Sequence, residues 1–373
     1  MNEIFPVGRP ALAEDVVDRN TFMDETAVRL ADGQSVMIAS PRRTGKSSVA
    51  LEILRRLAKR DFLTAAVDLF YVASIEELAA KIFKAVVETE TGPRRLAVHS
   101  LKTLREWLLS PEIHARLREF EVGVLLSHPT MEPLELLETA LITAENLAAR
   151  RDRRMIILLD EFQEIDRLGG ELLEQRLRAL LQQQRHTAYL FLGSHTTLMQ
   201  TLFAGRGRAL YRLATLSPLP PIPADAWKDY LTQRFVSVGL PLSSPAEHLI
   251  LEKTGGHPAG VMALAYDAYL LGRIRDQAEI SSDTIFEAYE NTLTALSPIY
   301  NSLWAEIHRI RHGDLVLKAI TNDVPPYSLS LAPHIVQRAL KALTDSSVLY
   351  KGSARGDYRL VEPIFGDWIK RRG

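Results

Sequence analysis

The stretch Ser40-Pro41-Arg42-Arg43-Thr44-Gly45-Lys46-Ser47-Ser48 carries the residues of this chain best suited to handling phosphate. It follows the apolar run Ser35-Val36-Met37-Ile38-Ala39 and opens into a helical pattern over 49–57, so it reads as strand, turn and helix. Backbone N–H groups of such a turn, together with the helix N-terminus, form a cradle for anionic oxygens. In a phosphate-binding loop of this kind, Lys46 reaches the β- and γ-phosphates and the Ser47 hydroxyl joins the shell of a Mg²⁺ ion. Ser40 stands where the first glycine of the pattern is expected. The plainer alternative is a helix start in which Gly45 makes the turn and Ser47 is the cap.

A second set of reactive residues lies far downstream, in Arg154-Met155-Ile156-Ile157-Leu158-Leu159-Asp160-Glu161-Phe162-Gln163. An unbroken apolar run ending in a carboxylate reads as a strand buried on both faces of a parallel sheet. Open α/β sheets bind ligands at the C-terminal ends of their strands, where Asp160 falls. Asp160 is expected to hold Mg²⁺ through water, and Glu161 to polarise an attacking water as general base. Gln163 is a candidate for positioning that water, and equally a helix N-cap partner. Acidic residues that merely cap the next helix are the alternative for the whole group.

The elements around these residues form an ordinary globular chain. At 373 residues it has room for two or three domains, and 46% hydrophobic with 24% charged residues separates it from disordered and membrane-embedded classes. A net charge of −1 gives no global attraction to nucleic acid or acidic lipid. With no cysteine, disulfides, thiolate zinc sites and cysteine nucleophiles are excluded, which suits a reducing cytoplasm. The N-terminus lacks a secretory pattern, and no apolar run approaches the roughly 20 residues needed to span a bilayer.

Along the chain, an N-terminal loop and an amphipathic helix precede the phosphate loop. A strand is expected at 62–70, helices at 74–87, 134–149 and 170–186, and further strands at 188–195 and 213–216. Residues 91–128 break the alternation with Gly92, Pro93 and Pro111 and read as a helical insertion. Alternating strands and helices predict a doubly wound parallel sheet. Prolines at 218, 220, 221 and 223 mark a domain boundary, after which the pattern is helical to 293. Helices at 297–310, 313–321 and 333–346 then precede two short strands around a Gly/Arg/Asp turn, the layout of a winged helix-turn-helix. The expected fold is thus α/β, a P-loop NTPase parallel sheet flanked by helices (1–222), followed by an all-helical lid domain (223–293) and a C-terminal winged helix (294–373).

Taken together, these motifs resemble the archaeal-type P-loop ATPases of the AAA+/STAND group. Ser-Pro-Arg-Arg-Thr-Gly-Lys-Ser is similar to that family's Gly-Pro-Arg-Arg-x-Gly-Lys-Thr/Ser loop. Asp160-Glu161-Phe162-Gln163 resembles its second motif, Gly255-Gly256-His257-Pro258 its lid motif, and Tyr358 to Trp368 the end of its winged helix. The resemblance spans nearly the whole chain, with a departure at Ser40 and no appended nuclease domain. It implies ATP and Mg²⁺ bound at Ser40 to Ser48 and Asp160, with slow hydrolysis driving a conformational switch. It also implies that Pro258 approaches the adenine or ribose and that Asp18-Arg19 flanks the base.

Other residues are weighed against simpler roles. Ser194, just past a buried strand, is a candidate sensor of the γ-phosphate or the attacking water, with His195 beside it. Arg206, Arg208 and Arg212 are candidates for an arginine supplied across an oligomer interface, or they form a solvated loop. Arg42 and Arg43 neutralise phosphates, face solvent or meet a partner chain. His257 reads as a loop packing residue, and the histidines show no metal-ligand spacing. Segment 291–373 carries eleven Lys/Arg against seven acids, a local net of +4. Arg338 and Lys341 on a recognition helix, with Lys351, Arg355 and Arg359 on a wing, suit DNA phosphates, while the helix's apolar character equally suits a protein partner. The expected protein is a cytoplasmic ATPase switch, free of membrane and open to homo-oligomer formation. The competing readings are a DNA-binding or scaffold protein using ATP structurally, and an oligomeric motor or DNA-loading machine.

Overall fold

The computed structural model describes residues 4–91, 132–352 and 356–372. Apart from Thr91, the expected insertion at 91–128 lies outside the described residues, as does Arg355. Contacts divide the chain into two compact units, one of residues 20–40 and 49–219 and one of residues 1–19, 41–48 and 220–373.

The first unit is built on a parallel sheet. In chain order it contains α1 (Asn20–Ala31), β1 (Val36–Ala39), most of α2 (Lys46–Ala58), β2 (Leu63–Asp68), α3 (Ile75–Thr91) and α4 (Pro133–Arg150). There follow β3 (Met155–Asp160), a 3₁₀ turn Phe162–Glu164, α5 (Ile165–Leu168), α6 (Gly170–Leu181), β4 (Thr187–Gly193), α7 (Thr196–Ala204) and β5 (Thr215–Leu216). Strand order is β2-β3-β4-β1-β5, and every pairing is parallel. The central strands β3 and β4 are apolar without alternation because helices cover both faces. Parallel register brings Asp68 beside Asp160 at the ends of β2 and β3. Phe162 packs on Phe191 and Phe203, with ring centroids 4.5 and 5.6 Å away, which anchors the turn just past the acidic strand end.

Several expected boundaries shift, two of them in this unit's later half. The helix expected to reach residue 186 ends at Leu181, where the polar run Gln182-Gln183-Gln184 has nothing to bury. The strand expected over 213–216 pairs only at Thr215–Leu216, an exposed edge.

The second unit is helical: α8 (Ala224–Ser237), α9 (Ser244–Thr254), α10 (Pro258–Ile274), α11 (Ser282–His308), α12 (Gly313–Thr321) and α13 (Pro333–Asp345). The antiparallel hairpin β6 (Leu349–Lys351) and β7 (Tyr358–Leu360) and the final helix α14 (Pro363–Lys370) complete it. Ser243 and Ser281 start α9 and α11 as N-caps, accepting the amides of Ala246 and Thr284. The position expected to separate lid from winged helix, 293/294, falls inside the continuous α11. The reason is packing: α11 buries Ile285, Leu293, Tyr300 and Ile307 in one core along its length. Residues of the N-terminal segment also belong to this unit. Phe5 is fully buried 5.0 Å from the Phe235 ring, and buried Asp15 accepts from the Tyr230 hydroxyl at 2.7 Å and from Arg234.

Candidate active site

The phosphate loop leaves β1 at Ser40, which is buried and donates its amide to the Gly193 carbonyl at 3.2 Å, prolonging the β1–β4 ladder by one rung. Serine does here what the expected glycine would, because the ladder needs only a backbone N–H. Beyond it, Arg43 and Gly45 both take left-handed backbone conformations, φ +62° and +90°. Such reversals turn successive N–H groups inward, the geometry of an anion-binding nest. A Cβ built on Gly45 meets no atom within 4 Å, so the space beside it is open and it is the φ of +90° that favours glycine there. The Lys46 ammonium is buried and donates to the Pro41 carbonyl at 2.7 Å, and the Thr44 hydroxyl donates to the same oxygen at 2.8 Å. These two donors give the loop its closed outline. Ser48 is tied differently, accepting the Ala11 amide at 2.9 Å.

At the sheet's C-terminal ends the acidic residues are tightly ordered. The Asp160 carboxylate accepts the Glu161 amide at 2.8 Å. Glu161 itself sits at φ +51°, a left-handed conformation that costs a non-glycine residue about 1–3 kcal/mol. Its Oε2 accepts the Ser194 hydroxyl at 2.6 Å and also a short hydrogen bond from the Gln163 amide. Ser194 is fully buried and Gln163 nearly so. Gly193 makes this possible, since a Cβ there would come within 2.3 Å of Met199 and 2.8 Å of Gln163 Oε1. Asp160, Glu161, Gln163 and Ser194, drawn from two strands and a turn, thus meet at one place. Among the described residues no cluster of three or more His, Cys, Asp or Glu is placed to hold a metal.

The lid motif is also resolved into parts. Gly255 and Gly256 both have positive φ and turn α9 into α10, with Pro258 at the first position of α10. His257 is buried, its ring hydrogen-bonds the Arg42 backbone, and Nε2 has no partner. Burial holds its pKa below the ordinary value, while the nearby Glu362 carboxylate pulls the other way. The packing role expected for His257 thus comes with a direct hold on the phosphate loop. Arg19 is buried as well, with Nε and Nη1 unpartnered. Desolvation lowers its pKa to about 10 despite Asp18.

Of the three arginines considered for transfer across an interface, Arg208 is engaged within its own unit. It pairs with Glu174, whose side chain is fully buried, and with Asp166 at 3.0 Å. Arg178 fixes the same loop by donating to the carbonyls of Ala209 and Tyr211. Arg206 and Arg212 are exposed. On α13, His334, Gln337, Arg338 and Lys341 form an exposed polar stripe at helical spacing. On the hairpin, Arg359 is engaged by Asp357 at 2.9 Å.

Sequence reading missed Glu362 and Tyr300. Glu362 takes the Arg43 guanidinium, Nη1 lying 3.3 and 3.4 Å from its two oxygens, and the Tyr300 hydroxyl at 3.3 Å. No local pattern signals a pair 319 residues apart. Asp68 was also passed over, although a carboxylate ending a strand was the signal used for Asp160.

Comparison with known proteins follows the same lines. The structure is similar to a Walker-type ATPase of Pyrococcus abyssi, with TM-score 0.74 and 17% identity over 99% of this chain and 100% of that one. It is also similar to the ORC2 protein of Aeropyrum pernix in ADPNP–ADP complexes, with TM-score 0.60 and 17% identity over 100% and 96% of the two chains. A third likeness is to the Aeropyrum pernix ORC1 protein in complex with DNA, with TM-score 0.52 and 17% identity over 95% and 93%. No protein-family model matches the chain, and no curated protein matches its sequence. At these identities the likeness is one of fold: the chain has the fold of the archaeal Walker-type ATPases that its motifs resemble.

Proposed function

Proceeding from that fold, we propose that the protein is an ATP-binding, Mg²⁺-dependent ATPase that works as a switch, with its C-terminal winged helix engaging DNA. The observation that carries this reading is the loop 40–48, where Arg43 and Gly45 take left-handed conformations, the space beside Gly45 is open and the buried Lys46 ammonium donates back to the Pro41 carbonyl. Lys46 would exchange the Pro41 carbonyl for the phosphate oxygens, where an ammonium is worth far more than against a neutral carbonyl. Residues Pro41 to Ser48 would wrap the phosphates, with Ser47 and Asp160 as the protein ligands of Mg²⁺. Bound there, Mg²⁺ would supply positive charge to the phosphate oxygens. Glu161 would accept a proton from water, and Ser194 and Gln163 would hold its carboxylate in place. Pro258 and Arg19 are the groups proposed to face the ribose and base.

Calorimetric titration with Mg²⁺ and ATP tests the binding step. The wild-type chain should bind, and Lys46→Ala should lose at least about tenfold in affinity, the scale of one charge-assisted contact. Equal binding by both would remove the loop from the site.

For the winged helix, the α13 stripe favours nucleic acid over protein, because it presents donors and cations and no acid along four exposed positions. Fluorescence anisotropy with duplex DNA tests it. Joint Arg338→Ala and Lys341→Ala replacement should weaken binding at every sequence and reduce the slope of log K against log[salt] by about 2. An unchanged slope would point to protein docking instead.

A further inference from the structure

Glu362 lies between β7 and α14, so a change in its contacts acts directly on both. Around it the second unit brings together Arg43 of the phosphate loop, Tyr300 of α11 and His257 of the lid turn, all lining one small cleft with Pro363. Two consecutive loop residues are held there by groups remote in sequence. The Arg42 backbone is hydrogen-bonded by the His257 ring, and the Arg43 side chain is paired with Glu362. The lid turn is in close contact with the start of α14, since a Cβ on Gly255 would lie 2.8 Å from Pro363 and one on Gly260 would lie 3.2 Å from Ile364. From there α14 is fastened to α11 by Tyr289 donating to Asp367 at 2.6 Å and by Trp368 donating to Ser297 at 3.1 Å.

We propose that Glu362 is a positioning residue that couples the phosphate loop to the C-terminal helix: phosphate bound in the loop takes the Arg43 guanidinium from Glu362, and the freed carboxylate loosens the start of α14. This rests on the nucleotide reading above. Three features support it. First, a guanidinium placed between a single carboxylate and a polyphosphate favours the greater, bidentate-accepting charge. Second, the Arg43–Glu362 pair is long and its arginine is 37% exposed, so it is cheap to break, as an exchangeable contact must be. Third, buried His257 lines the same cleft and its ring hydrogen-bonds the Arg42 backbone, so the loop stays held by the same unit when the Arg43 side chain turns away. A ligand shifts such an equilibrium by its differential interaction with the two states, and Arg43 supplies that difference.

The test is hydrogen exchange by mass spectrometry on the full chain, with and without a non-hydrolysable ATP analogue, alongside calorimetry. In the wild type, analogue binding should speed exchange across 358–370 several-fold. Glu362→Gln should show fast exchange there without ligand and bind the analogue about two- to five-fold more tightly, since the carboxylate no longer competes for Arg43. Glu362→Asp, which keeps the charge, should restore ligand-dependent exchange. A purely structural Glu362 would lower stability without tightening binding. The inference is overturned if the analogue binds and exchange over 358–370 stays unchanged, or if Glu362→Gln binds no more tightly than wild type. Should Glu362→Gln fail to fold, the wild-type exchange result decides alone. Absence of binding to the wild type would instead defeat the nucleotide reading, and this coupling with it.

Discussion

In a Glu161→Gln protein, ATP turnover is expected to fall by about 10²–10⁴-fold, the range a general base contributes, while ATP remains bound. The amide is nearly isosteric, keeps an oxygen to accept the Ser194 hydroxyl, and bears the same left-handed backbone cost, so folding and the binding loop are untouched. What it lacks is a site to take up the proton of water. Phosphate release under saturating ATP measures turnover, and filter retention of labelled ATP measures binding. Turnover unchanged by the substitution would remove Glu161 as the base. A wild-type protein that binds ATP with negligible turnover would favour the scaffold reading, in which nucleotide is structural.

Arg208→Ala should lower unfolding free energy by about 3–5 kcal/mol, because it leaves a carboxylate buried without its counter-charge. The Glu174 side chain has no exposure, and Arg208 is its ion-pair partner. Chemical denaturation reads the loss directly. Removing the stranded charge as well, in Arg208→Ala with Glu174→Leu, should recover most of the stability. An alanine variant that stays as stable as wild type and loses turnover would restore Arg208 to the role of a charge supplied in catalysis.

The parts of the site legible in the sequence are those written in consecutive residues. Five apolar positions ending in Asp160 declare a buried strand because both faces of a parallel strand are covered, and Gly45-Lys46-Ser47 declares a turn into a helix because that turn needs glycine. Ser194 is singled out as a candidate by its place after the next buried strand. Its hydrogen bond to Glu161 is not legible that way, since strand order depends on which helices cross over the sheet. The hold of His257 and Glu362 on the loop lay further out of reach. Such pairs are set by packing between segments hundreds of residues apart, and Glu362 looks in sequence like any surface acid before a proline. That one helix runs across 293/294 was out of reach for a related reason. Pro298 lies inside α11, which continues through it because the apolar face on either side is buried in one core.

The pairing of residues 41–48 with 220–373 in one unit has a consequence for biosynthesis. At ribosomal rates of 5–20 residues per second, Glu362 leaves the ribosome roughly 15–60 s after Arg43. The sheet strands, complete by Leu216, can pair long before then, whereas the Arg43 side chain waits for a partner made near the end of translation. The sequence separation of these contacts makes that unit slow to close. A nascent chain arrested before α11 would therefore hold a finished sheet carrying a phosphate loop that has not yet acquired its Arg43 restraint.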